Sequence, residues 1–136
     1  MTKEESIIYA AGLFDGEGWI SIVGIVKRRE YRLVVGLTMT DSRPIIFLND
    51  WFGGDDRSDA MYHTYTGKPV YRWVLHATNA MDFLKLIKPF SITKKEKIDL
   101  AIEFQERKNK DFGQRLSDEI ILHRHLAYER MKLLNG

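Results

Sequence analysis

Tyr9-Ala10-Ala11-Gly12-Leu13-Phe14-Asp15-Gly16-Glu17-Gly18 reads as an apolar helical run that closes on two carboxylates interleaved with glycines. A helix C-terminus already carries partial negative charge, so acids there cost a few tenths to about 1 kcal/mol. A positive partner offsets that cost, and a divalent cation is the simplest one. Glycine on either side of Glu17 lets another backbone or a large anion come close. An acid, a metal and close approach are together the elements of phosphodiester hydrolysis.

Upstream of this stretch, Thr2 and Glu5 have capping-box spacing, so the helix opens there and carries Ile7, Ile8, Ala11 and Phe14 along it. Downstream, Ile20, Ile22 and Val26 alternate with Ser21, which predicts a strand from about 18 to 27. A basic turn follows, then a second strand over about 31–40. Asp41-Ser42 with Pro44 behind them start a helix that runs through Ile45, Ile46, Leu48 and Trp51-Phe52 to Gly53-Gly54. A second hairpin is expected from Met61 to Tyr65 and Val70 to Ala77, turning on Thr66-Gly67-Lys68-Pro69. Asn79 is placed to cap the next helix and Pro89 to stop it. Thr93 and Glu96 repeat the capping-box spacing and open a helix to about Lys108, residues 109–115 form a polar loop, and Ser117 caps a last helix ending near Asn135. The order α-ββ-α-ββ-α plus a helical tail describes an α+β domain. Its four-stranded antiparallel sheet is covered by helices on one face, and the other face is free to carry a ligand.

A chain of 136 residues is one domain, 1–136, able to bury a core without staples. With no cysteine, disulfides and thiolate metal sites are excluded. No apolar run approaches the roughly 20 residues that span a bilayer, and the N-terminus lacks the shape of a signal peptide, so a cytoplasmic location and no membrane partner are expected. A net charge of +2 does not by itself indicate a nucleic-acid partner; the distribution is more telling. Lys27, Arg28, Arg29 and Arg32 cluster against Glu30 alone, Lys94, Lys95 and Lys97 form a second group, and Asp55, Asp56 and Asp59 an acidic one.

The opening stretch resembles the signature of the LAGLIDADG homing endonucleases. Ala10 through Gly18 stand at the nine motif positions, with Ala10 for the first leucine, Phe14 for the isoleucine, Gly16 for the second alanine and Glu17 for the second aspartate. Thr40-Asp41, Phe52-Gly53-Gly54, and Pro89-Phe90 followed by Lys94-Lys95 look like the family's further signatures, in order. The resemblance covers about residues 6–107, with an extension over about 117–135. It implies a DNA endonuclease encoded in an intron, an intein or a free-standing mobile gene, located in the cytoplasm or in the organelle or phage-infected cell that carries the gene. One motif per chain implies a homodimer cutting a long, pseudo-palindromic double-stranded DNA target, with Ala11, Gly12 and Gly16 as the small residues of the paired helices.

On the same resemblance, Glu17 is the metal-binding acid, joined by the Gly16 carbonyl, and the ion is Mg2+ or another divalent cation such as Mn2+. Asp15 is structural. Lys94 stands where the family carries a basic residue at the active-site edge, to polarise the water network or stabilise the transition state. Asp41 either holds that water or only caps the helix that follows. Strand periodicity puts Ser21, Val23, Ile25 and Lys27 on one side, in phase with Arg32, Val34, Gly36 and Thr38; if Ile20 and Ile22 face the helices, this side faces DNA. Arg28 and Arg29 cap that hairpin, and Arg57 and Tyr71 are candidates from the second, where Trp73 is more readily core. Arginines in a major groove read guanine and apolar side chains meet thymine methyls, whereas lysines grip phosphates. The tail either packs on the core or docks along flanking DNA. The alternative reading is a non-cleaving nucleic-acid binder on the same scaffold, an RNA maturase or a regulator; retention of Glu17 counts against it.

Overall fold

Thr2 caps the first helix in both directions: its hydroxyl accepts from the Glu5 N–H at 3.1 Å and its own N–H donates to the Glu5 carboxylate at 2.7 Å. That helix, α1 (Lys3–Glu17), buries Ser6, Ala10, Ala11 and Phe14 and leaves Gly12 and Gly16 exposed. It passes without a loop into β1 (Gly18–Ile25). Then follow β2 (Glu30–Met39), α2 (Ser42–Phe52), a short β3 (Met61–His63), β4 (Pro69–His76), α3 (Ala77–Ile87), α4 (Lys95–Lys110) and α5 (Asp118–Asn135). This computed structural model describes residues 1–55, 61–63 and 67–136, the middle segment in its backbone only. Arg57, Asp56, Asp59, Tyr65 and Thr66 lie outside the described residues.

The strands pair antiparallel in the order β1-β2-β4-β3. Register decides the faces. Ile20 pairs with Val35 and Val35 with Leu75, Ile22 with Leu33, and Leu37 with Trp73. All of these are buried in one apolar cluster with Phe14, Leu48, Leu84, Ile98, Phe104 and Met131, so α1 through α5 cover the same side of the sheet. Trp73 is fully buried, donates from its indole N–H to the Gly53 carbonyl at 2.7 Å and meets the Phe83 ring edge-on. It is core.

Two helix starts differ from the spacing rules, each because a distant group takes the capping side chain. Asn79 sits inside α3, which begins at Ala77, and its amide donates to Asp55 at 2.9 Å. The same Asp55 carboxylate accepts the His76 N–H at 2.6 Å, pinning the strand-to-helix switch where Ala77 takes a left-handed φ of 51°. That conformation is strained for alanine and persists because its surroundings hold it. Thr93 likewise makes no capping bond in α4 but donates its hydroxyl to the Asp15 carbonyl at 3.2 Å. The tail packs on the core: Ile121, Ala127 and Met131 are buried, the Tyr31 hydroxyl meets the His125 ring at 2.8 Å, and Asn135 donates to the Ile20 carbonyl at 2.9 Å.

Candidate functional site

The end of α1 is built by two devices. Gly18 lets the helix turn directly into a strand: a Cβ at that position would sit 2.4–2.6 Å from ring atoms of Phe14, which is fully buried. Asp15 then fastens the segment between α3 and α4 to the helix end. Its carboxylate accepts from the Ser91 hydroxyl at 2.5 Å, the Ile92 N–H at 2.7 Å and the Thr93 N–H at 3.3 Å, and its carbonyl accepts from Lys94 Nζ at 2.8 Å. The expected structural role for Asp15 is thus given a geometry: it places Lys94 at the C-terminus of α1.

Charge follows from this arrangement. Partial burial pushes the Asp15 carboxyl up, but the bonds from Ser91, Ile92 and Thr93 and the Lys94 charge outweigh it, and its pKa lies below the ordinary value. Lys94 is half-buried, and desolvation together with Lys97 lowers its pKa although Asp15 and Glu17 pull it back up. Because the folded pKa of Asp15 is depressed, its stabilisation is present in full above the unfolded value of about 3.9 and is lost as pH falls through the folded one. Asp15→Asn is therefore expected to lower the urea midpoint clearly at pH 7 and far less at pH 3; an equal loss at both pH values would show that charge contributes nothing.

Glu17 and Gly16 are exposed at the same helix end. The last carbonyls of an α-helix have no partner within it, and here the Asp15 carbonyl is occupied by Thr93 and Lys94 while that of Gly16 lies one residue further out. One exposed carboxylate beside a helix-end carbonyl is an all-oxygen, half-open donor set. It suits a magnesium-like ion that keeps waters and shares phosphate ligands, not a closed cage. Among the described residues no group of three or more His, Asp or Glu would enclose a metal.

Asp41 is placed as a cap. Its side chain accepts from the Arg43 N–H at 3.0 Å and pairs with the Arg43 guanidinium at 2.6 Å, bonds that bring its pKa down to about 2. It shares a groove with Tyr9 and Phe47. Asp41 thus fills the capping role that was one of its two expected readings.

The sheet face away from the helices carries Trp19, Ser21, Val23 and Ile25 from β1, Arg32, Val34, Gly36 and Thr38 from β2, and Arg72, Val74 and His76 from β4, as the register requires. Val23, Ile25 and Arg32 are exposed, and Ser21 and Thr38 partly so. Lys27 and Arg28 lie in a 3-10 turn, Val26–Arg28, beyond the strand, and Arg29 ends that turn with a left-handed φ of 56°. All three are exposed.

Three expectations are corrected. Tyr71 pairs with Met39 and shares the phase of Trp73, so it packs against the core and not on the outward face. Val34 has the outward phase but is only 5% exposed, so it is not available on that surface. Ala11 is fully buried within the monomer: with Ala10 and Phe14 it forms the inward stripe of α1, opposite Gly12 and Gly16.

Arg72 and Trp19 are outward residues that the sequence did not single out. Gly36 leaves room for the Trp19 ring, which a Cβ there would meet at 2.9 Å, and the Arg72 guanidinium lies 5.7 Å from the centre of that ring. Alternation along the strand from Trp73 to its neighbour would have found Arg72.

By sequence the chain matches no family model and no curated protein. By structure it is similar to homing endonucleases. I-CvuI in complex with its target aligns with a TM-score of 0.74 at 15% identity, over 97% of this chain and 83% of that one. The archaeal intron-encoded I-Vdi141I complexed with DNA aligns at 0.63 and 12%, over 97% and 99%. I-GzeII, a LAGLIDADG homing endonuclease in complex with a DNA target, aligns at 0.64 and 14%, over 93% of this chain and 43% of that one. The α-ββ-α-ββ-α order, the outward sheet face and the acid-bearing end of α1 are thus found together: the chain has the fold of the LAGLIDADG homing endonucleases.

Proposed function

We propose that the protein is a metal-dependent, sequence-specific DNA endonuclease that acts as a homodimer and breaks both strands of a long, pseudo-palindromic site. The observation that carries the reading is the end of α1, where exposed Glu17 and the tethered Lys94 share one helix terminus. Structural neighbours crystallised with DNA support the partner.

Glu17 and the Gly16 carbonyl would hold Mg2+ or Mn2+, and the bound ion supplies activation of water and stabilisation of the leaving oxygen. The chain's own groups do the rest. Lys94, fixed by the Asp15 carbonyl, sets a positive charge beside the acid, where negative charge develops on a phosphate in the transition state. The outward face lies against the duplex, with Arg32 and Arg72 as base readers and Val23 and Ile25 as contacts for methyl groups. Lys27, Arg28 and Arg29 at the hairpin end grip phosphates, which position the protein without reading sequence.

A second copy supplies the second acid. A Cβ at position 12 or 16 meets nothing within 4 Å in the monomer, so the glycines there answer no internal packing need. Gly12→Leu is expected to keep the monomer's circular dichroism spectrum while shifting sedimentation from dimer to monomer mass. An undisturbed dimer in that variant would move the interface away from α1.

The reading itself is tested by cleavage selection on a randomised duplex library, with magnesium and with EDTA. A pseudo-palindromic site cut only with metal supports it; enrichment of one sequence without cutting would make the protein a binder.

A further inference from the structure

A groove of about 380 Å³ lies where the hairpin end of β1 and β2 meets α4 and α5. Arg32, Lys108 and Arg124 line it, with Arg29 at its rim and Glu30 as its one acid. Arg29 is already paired with Asp118 at 2.9 Å. The other three cations form no ion pair among the described residues.

Arg124 is the anomaly. It is only 9% exposed, and its Nε is buried with no hydrogen-bond partner. A buried guanidinium is ordinarily paired, since desolvating an unpaired charge is costly. Its neighbours make matters worse: Lys108 donates one hydrogen bond to the Tyr31 carbonyl, and desolvation followed by the charges of Arg124 and Arg32 pushes its pKa down. Three cations crowded around a groove, one of them nine-tenths buried with its Nε unpartnered, describe a site for an anion with several acceptor oxygens. Guanidinium forks fit phosphate in this way.

We propose that this groove is a phosphate site, seating a backbone phosphate of a duplex that runs off the hairpin end of the sheet. Val23, Ile25 and Arg32 belong at once to the groove wall and to the outward face, so a strand lying on that face passes the groove. The choice of DNA as the source rests on the function proposed above; the phosphate chemistry does not. In this arrangement α5 carries a DNA contact through Arg124 while its apolar side packs on the core.

Two measurements separate these layers. Thermal unfolding of the whole protein is followed against inorganic phosphate, with chloride at matched ionic strength. A saturable rise in wild type that is absent in Arg124→Met is expected; no phosphate-specific rise in wild type overturns the site. Binding to duplex DNA is then titrated against salt without divalent metal. Arg124→Met is expected to lower the magnitude of the log–log salt slope by about 0.9 per groove. Lys108→Gln, which removes another groove cation, gives the same test if Arg124→Met does not fold. An unchanged slope with a retained phosphate effect overturns the DNA assignment and leaves a free-anion site. A phosphate effect in a protein that binds no duplex overturns the endonuclease reading and keeps the site.

Discussion

Glu17→Gln is expected to reduce DNA cleavage by about 10²- to 10³-fold, the scale on which removing one preorganised electrostatic contact acts on a rate, with duplex affinity measured in EDTA unchanged. The substitution keeps size and hydrogen-bonding capacity but removes the charge that holds a divalent ion. Glu17 is exposed at the last position of α1, so folding does not depend on it. Lys94 is tethered through the Asp15 carbonyl and not through Glu17, so the cation stays in place in the variant. The measurement is single-turnover cutting of a duplex bearing the selected site, beside a gel-shift titration. A loss of rate with intact binding assigns Glu17 to the chemical step. Cutting at the wild-type rate would remove the mechanism proposed for this site, and a parallel loss of affinity would make Glu17 a binding residue.

Gly18→Val carries the largest expected effect on stability, about 3 kcal/mol, at the upper end of the usual overpacking cost. The clash is with a ring that has nowhere to go: Phe14 is fully buried and packed edge-on against Phe83 with ring centres 5.5 Å apart. The backbone cannot yield easily either, because the Gly18 N–H closes α1 on the Phe14 carbonyl while the same residue opens β1 opposite Leu37. For a chain of this size the loss corresponds to roughly 10 °C in Tm. Phe14→Leu should recover part of it, since the two side chains contend for one volume and their effects are then non-additive. A double variant whose loss equals the sum of the two single losses would show that Phe14 is not the obstacle. The site is also expected to suffer, because the helix end that bears Glu17 and the Asp15 tether is held by this junction.

Part of this architecture is legible from single residues. Thr2, Asp41 and Ser117 cap their helices as their spacing implies, because a cap is a contract between residues two or three apart. Ser21, Val23, Ile25 and Arg32 fall on the outward face, because alternation along a strand is local once one buried residue is known. Tyr71 fails for the complementary reason: a strand read one residue out of phase sends every side chain to the wrong face, and only its pairing with Met39 sets that phase. Asn79 and Thr93 carry good capping signals and are drawn away by Asp55 and by Asp15.

Element order, the caps, the alternation of the first hairpin and the acid-bearing stretch at the end of α1 can be read along the linear chain, because all follow from interactions within a few residues. The folded chain, by contrast, turns Ala11 inward and Gly12 outward, brings Asp15 across 79 positions to hold Lys94, and buries Arg124 beside Lys108 with its Nε unpartnered. Each of these depends on which distant group arrives to compete for a donor, an acceptor or a volume, and that is settled only when the chain closes on itself.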